Sequence, residues 1–194
     1  MREYASRVEF IGSFPSELPV LGVPEVAFAG RSNVGKSSAL NCLLGSKKVA
    51  RVSSTPGRTQ AVNLFRVGPA LSFADLPGYG FAKVPDAVKE QWKGMIEKYL
   101  TLRADLRMVV LLVDIRHLPQ ELDEMLIGAL AEMQLPTLVI ATKADKLSRN
   151  ERFKSLRALE QGFSLPPEAL VAFSSLNGEG RDEVCDRIEV VCGA

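Results

Sequence analysis

The chain has 194 residues, 46% of them hydrophobic and 24% charged, and its 24 Lys+Arg against 23 Asp+Glu leave a formal charge of +1. Those values describe one globular domain and exclude collagen-like, intrinsically disordered and disulfide-scaffold chains. Three cysteines, Cys42, Cys185 and Cys192, form no C-x-x-C pair and leave one thiol over, which points to a reducing compartment.

From the N-terminus, residues 1–22 alternate charges with single apolar residues and lack the apolar run of about 7–15 that an export signal needs. They read as an extension leading into the first core strand, Glu25–Ala29. The segment Gly30-Arg31-Ser32-Asn33-Val34-Gly35-Lys36-Ser37 follows and matches G-x-x-x-x-G-K-[ST], with Ser38 and a helix carrying Leu40, Leu43 and Leu44 behind it. This is the strand-to-helix context of a P-loop, whose backbone N–H groups turn inward around phosphate. Lys36 is expected to reach the β- and γ-phosphates and the Ser37 hydroxyl to reach Mg²⁺.

Residues 53–60 (Ser53-Ser54-Thr55-Pro56-Gly57-Arg58-Thr59-Gln60) carry the glycine, proline and hydroxyls of a flexible loop. Within it Gly57 and Arg58 are candidate nucleotide contacts, and Thr59 is the candidate ligand of Mg²⁺ in the triphosphate state. Two strands, Ala61–Val67 and Ala70–Ala74, are joined by Gly68-Pro69, a link too short for a parallel crossover, so this pair is expected to be antiparallel.

Asp75-Leu76-Pro77-Gly78 comes next, at the end of an apolar strand about 45 residues after the P-loop. Asp75 would hold Mg²⁺ through water, and Gly78 leaves its N–H open to a γ-phosphate. Tyr79 follows, with no glutamine in the loop to orient an attacking water, so slow hydrolysis of a bound triphosphate is expected.

Helical spacing places Val88, Trp92, Met95, Ile96 and Tyr99 on one stripe. A strand at Met108–Asp114 leads into Ile115-Arg116-His117, where the single histidine has no partner that would make a metal site. Leu122, Met125, Leu126 and Leu130 form a further stripe. The strand Thr137–Thr142 runs into Thr142-Lys143-Ala144-Asp145, and Asp145 could accept hydrogen bonds from N1–H and the 2-amino group of guanine, donors that adenine lacks. A site built on that polar pair would reject adenine strongly. A weaker strand, Leu170–Phe173, ends at Phe173-Ser174-Ser175, where a backbone N–H could meet the guanine carbonyl, and a last stripe holds Val184, Ile188 and Val191.

Strands alternating with helices imply an α/β, three-layer P-loop NTPase fold. About six mainly parallel strands with one antiparallel edge and about five helices are expected in one domain. The longest strongly apolar run, Met108 to Val113, is far short of the roughly 20 residues that span a bilayer. The expectation is a cytoplasmic monomer. Between Glu25 and Asp75 no acidic residue occurs, whereas Arg31, Lys36, Lys47, Lys48, Arg51, Arg58 and Arg66 all do. Such a stretch attracts polyanions, either nucleotide phosphate alone or a wider RNA surface.

The wording of FAGRSNVGKSS, TPGRTQ, DLPGYGFA, VDIRH, TKADK and FSS, in this order from about Val8 to Val190, resembles the EngB (YihA/YsxC) family of bacterial ribosome-assembly GTPases. The resemblance implies a single GTP/GDP-binding domain over residues 1–194, dependent on Mg²⁺. It also implies a partner in the large ribosomal subunit precursor and a link to cell division and septation. Thr142, in place of the asparagine usual in the wider superfamily, is characteristic of that family, while Ser54 departs from its frequent lysine. Asn33 resembles the asparagine by which related GTPases bind K⁺, with a loop-bracing role as the alternative. Two other functions fit the residues less well: an RNA-binding protein with structural nucleotide, and a small P-loop kinase or ATPase.

Overall fold

A computed structural model of the chain describes residues 8–45, 61–80 and 86–193; within helix 86–102 the side chains at 86–89, 91 and 92 lie outside that description. The elements in order are β1 (Val8–Phe14), β2 (Glu25–Gly30), α1 (Lys36–Leu43), β3 (Val62–Val67), β4 (Leu71–Asp75), α2 (Asp86–Leu102), β5 (Leu106–Asp114), α3 (Glu121–Glu132), β6 (Thr137–Thr142), α4 (Arg149–Gly162), β7 (Leu170–Ala172) and α5 (Arg181–Cys192). One seven-stranded sheet has the order β1-β3-β4-β2-β5-β6-β7. Strands β4, β2, β5, β6 and β7 are parallel, and β3 runs antiparallel to both β4 and β1.

The alternation of side chains along β5 explains the layering, because successive residues of a strand point to opposite faces. Met108, Val110 and Leu112 face the core under α1 and α5, with Leu40, Leu43, Val184 and Ile188. Val109, Leu111 and Val113 face a second core with Ile96, Leu126, Leu130 and Leu159. Strands covered on both faces carry mainly apolar sequence, and β2 and β4 are buried at every position, with Glu25, Ser72 and Asp75 the polar exceptions. Burying each large aliphatic side chain contributes about 1.5–3 kcal/mol. The Phe28 and Phe73 rings, with centroids 4.7 Å apart, lock β2 to β4.

Seven strands replace the six expected. The additional one, β1, lies in the region read as an extension; it pairs with β3 along the sheet edge, with a register shift between Phe10 and Gly12. Its mixed exposure is that of an edge strand, which carries no continuous apolar run. The hairpin through Gly68-Pro69 is antiparallel, as expected.

In α3 the stripe differs from the expected one: Leu126 and Leu130 are buried, Leu122 and Met125 are exposed, and Asp123 is buried instead. Val191, also expected on a buried stripe, is exposed on α5. Helix α4 begins with a reciprocal capping box between Ser148 and Glu151. No helix among the described residues is long and apolar enough to cross a membrane.

Candidate nucleotide site

The carboxyl ends of β2, β4, β5, β6 and β7 share one edge of the sheet. The chain leaves β2 toward β4 on one side and reaches β5 on the other, so the crevice for a ligand is expected beside β2. The P-loop fills that position. Gly35 takes φ 104°, a backbone conformation that side-chain-bearing residues rarely adopt, and the next residue starts α1. Asn33 is left-handed at φ 65°, which asparagine tolerates better than most residues. Val34 is buried in the core and anchors the loop from beneath.

Asp75, at the end of β4, is buried and receives the Lys36 ammonium in an ion pair. The Asn63 Nδ2 lies 3.4 Å from its other oxygen, and Asn63 Oδ1 accepts a 2.5 Å hydrogen bond from Ser13 of β1. The edge strand that the sequence concealed therefore braces the residue that orients Asp75. Beyond it, Leu76 N–H donates to Phe28 O at 3.0 Å, which continues the β2–β4 pairing. Gly78 then passes so close to the P-loop that a Cβ there would sit 3.1 Å from Ser32 Oγ.

The Ser32 hydroxyl is buried and makes no hydrogen bond within the described protein. An orphaned hydroxyl between the P-loop and Gly78 fits a polar ligand such as phosphate. Asp75 already accepts a cation, which fits it for a metal ion as well. Ser37 is partly buried at the start of α1 and Ser38 is exposed. The Arg31 side chain points away from the loop's mouth, its Nη1 donating to Gln120 Oε1 at 3.0 Å, toward α3.

At the far side of the crevice, Thr142 Oγ1 lies 2.7 Å from Val34 O and 3.0 Å from Val113 O. A hydroxyl carries one proton, shared here between two carbonyls, so Thr142 ties the P-loop to β5 rather than facing a base. Lys143, at φ 62°, donates from Nζ to Asn33 O and to Asp114 Oδ2, both at 2.8 Å, which draws its stem across the P-loop. Asp114 also accepts a fork from Arg116 at 2.9 and 2.7 Å. Burial favours the neutral acid, but the hydrogen bonds from Arg116 and Lys143 outweigh it and hold Asp114 well below the usual carboxylate range. Sequence reading placed Asp114 only at a strand end, because its partners meet it through the fold.

Asp145 accepts a 2.6 Å hydrogen bond from Ser174 Oγ, which keeps its carboxyl below the ordinary value and therefore ionised. Ala144 and Phe173 are buried spacers: Ala144 N–H donates to Phe173 O at 3.1 Å, and Phe173 N–H donates to Ala141 O at 2.8 Å. Ser174 N–H is likewise donated to Glu179 O at 3.0 Å. Phe173 and Ser174 thus have no amide to offer a base, a correction to that part of the expected trio; Ser175 remains, exposed, beside them. The fold brings Gly30–Ser37, Asp75–Gly78 and Thr142–Asp145 to one rim. Gly57, Arg58 and Thr59, with Lys47, Lys48, Arg51, Ser53 and Ser54, lie outside the described residues.

Residues 25–143 match the family model described as 50S ribosome-binding GTPase. The chain is 50% identical over 191 residues to the "Probable GTP-binding protein EngB" of Geobacter metallireducens, across 97% of this chain and 94% of that protein. It is also 50% identical over 188 residues to the protein of the same name from Syntrophus aciditrophicus, across 96% and 95%. The crystal structure of a probable GTP-binding protein EngB superposes with a TM-score of 0.73 at 27% identity, over 87% of this chain and 98% of that one. A phosphate loop, an acidic end to β4 and an ionised carboxylate after β6 on this fold, with relatives at 50% identity over nearly the whole chain, place it in the EngB family of GTP-binding GTPases.

Proposed function

We propose that this GTPase is a cytoplasmic switch in assembly of the large ribosomal subunit, docking on a subunit precursor when loaded with GTP and leaving after hydrolysis. The observation that carries the reading is the family model over residues 25–143, whose description names 50S binding, joined to a site in which one ligand would touch both the P-loop and Asp75–Gly78. A protein changes state with its ligand only through differential affinity, and Gly78, packed against Ser32, is the element whose contacts depend on a γ-phosphate. By family resemblance the same role extends to normal cell division and septation.

In this reading Lys36 exchanges the Asp75 carboxylate for the β- and γ-phosphates, and Asp145 accepts N1–H and the 2-amino group of guanine while the Lys143 stem covers the base. Ser37, Asp75 through water, and Thr59 would hold Mg²⁺, which supplies charge neutralisation at the phosphates. Asn33, left-handed in the P-loop, is the residue that would hold K⁺, with bracing of the loop as the alternative. Intrinsic hydrolysis is slow, because the Tyr79 ring is buried and its hydroxyl points to α3, away from any attacking water.

Sedimentation with large subunits from a depleted strain, with GDP or a non-hydrolysable GTP analogue at two salt concentrations, tests the switch. Retention several-fold higher with the analogue is expected. Equal retention in both states would favour an RNA-binding protein with structural nucleotide, and no retention would remove the ribosome as partner.

A further inference from the structure

Helix α3 buries a carboxylate where its pattern calls for an apolar side chain. Asp123 is 2% exposed, on the same face as Leu126 and Leu130. Burying an acid without partners is strongly unfavourable, so its surroundings should show what compensates. The Tyr79 hydroxyl donates to Asp123 Oδ1 at 2.5 Å, and Tyr79 is itself 4% exposed, its ring packed in the core beneath α2 and α3. The Arg31 guanidinium, bonded to the helix-capping residue Gln120, adds attraction to the Asp123 carboxylate.

The backbone of Tyr79 is fixed from the other side. Ser32 N–H donates to Tyr79 O at 2.8 Å and Tyr79 N–H lies 3.4 Å from Gly30 O, so residues 31 and 79 form a short parallel bridge that prolongs the sheet. Residue 79 is therefore gripped by the P-loop through its main chain and by α3 through its side chain. Gly78 precedes it directly, within contact of Ser32.

We infer that the Tyr79–Asp123 hydrogen bond is a positioning tie for GTP hydrolysis: it sets where the Gly78 N–H meets the γ-phosphate and transmits that contact to α3. Neither residue touches the reacting atoms. The role rests on the GTPase reading of the site and is independent of the ribosome. Tyr79 takes over none of the work of the missing glutamine; it replaces water orientation by an anchor that no nucleotide contact supplies.

The test compares Tyr79→Phe, Asp123→Leu and Asp123→Asn in ribosome-free solution. Tyr79→Phe keeps the buried ring, and Asp123→Asn keeps an oxygen to accept the hydroxyl proton. Affinities for GDP and for a non-hydrolysable GTP analogue are read by fluorescence titration, and hydrolysis by single turnover. Loss of a hydrogen bond to a charged group predicts that Tyr79→Phe and Asp123→Leu bind the analogue about tenfold more weakly and hydrolyse GTP about tenfold more slowly. GDP affinity should stay within about twofold, and Asp123→Asn should recover most of the loss. Hydrogen exchange in α3, different between GDP and analogue in the wild type, should become the same in both for Tyr79→Phe.

An unchanged analogue-to-GDP ratio and hydrolysis rate in folded Tyr79→Phe would overturn the tie, even if its melting temperature falls, since that would be packing alone. Failure of Asp123→Asn to differ from Asp123→Leu would overturn it too. Absence of subunit retention by the wild-type protein, with these nucleotide effects intact, would instead count against the ribosomal reading and leave the tie standing.

Discussion

The two ends of the nucleotide crevice are built differently. At the end proposed for the base, the polar groups are already held by the protein: Asp145 by Ser174, and Lys143 by Asp114 and the Asn33 carbonyl. At the phosphate end Lys36 is paired with Asp75, and Ser32 has a buried hydroxyl with no partner in the described protein. In the proposed reading a guanine thus meets a preorganised surface, while the phosphates must rearrange an ion pair. Preorganisation lowers the free energy lost to ordering on binding. On that proposed reading, base specificity is accordingly a fixed property of the fold, and the phosphate end is where GDP and GTP can be told apart.

The largest effect that would break this contrast is at Asp145. Asp145→Asn removes the acceptor for two guanine donors and should weaken GTP binding on the order of 10⁴-fold while improving binding of xanthosine triphosphate, as competition titration would show. Retained preference for GTP would mean that the base is read elsewhere.

A second substitution separates the site from the frame that carries it. Glu25, fully buried at the opposite end of β2 from the P-loop, accepts from Arg103 at 2.8 and 2.7 Å and from Tyr99 at 2.5 Å; Arg103 also donates to Pro19 O at 2.8 Å. Breaking a buried pair leaves an uncompensated charge, so Arg103→Met should lower unfolding free energy by about 3–5 kcal/mol in urea titrations. Nucleotide affinity of the folded fraction should be unchanged. A parallel loss of affinity would show that the two ends of the sheet are coupled.

The parts of this molecule legible in the sequence are those fixed by local spacing. The P-loop, the β3–β4 hairpin and the strand-end motifs at Asp75 and Asp145 carry their chemistry in contiguous residues, and the fold delivers them to one rim. Strand β1 escaped because an edge strand is not selected for an apolar run: Val8–Phe14 is half exposed and broken by Gly12 and Ser13.

The α3 stripe was misplaced for another reason. Hydrophobic spacing at Leu122 and Met125 is as good as the true 123-126-130 spacing, and only Tyr79, 44 residues earlier, identifies Asp123 as a buried position. Phe173 lies next to Ser174 and Ser175 in sequence, yet its ring is core and its amide donates to Ala141 O of β6. The capping box at Ser148 and Glu151 was written locally as S-x-x-E and could have fixed the start of α4.

The smallest expected effect concerns acid stability, where Asp114 and Asp123 should act with opposite sign. Asp114 holds its proton less tightly in the folded chain than in the unfolded one, whose carboxyl stays near the ordinary 3.8. Its contribution is complete above that value and is lost as pH falls below it toward the folded value, because the unfolded chain then binds more protons. Asp123 is raised by burial, against the Tyr79 hydrogen bond and the Arg31 charge that lower it, so its contribution is lost as pH rises above the ordinary value.

Urea midpoints measured from about pH 2.5 to pH 6 should therefore climb less steeply with pH in Asp114→Asn than in the wild type. In Asp123→Asn they should climb more steeply on the higher-pH side. Arg116 is exposed, which screens its share of the Asp114 effect and keeps the change modest. Identical slopes in Asp114→Asn and wild type would mean that the clamp on Lys143 does not rest on an ionised Asp114, and the base end would lose the feature that distinguishes it from the phosphate end.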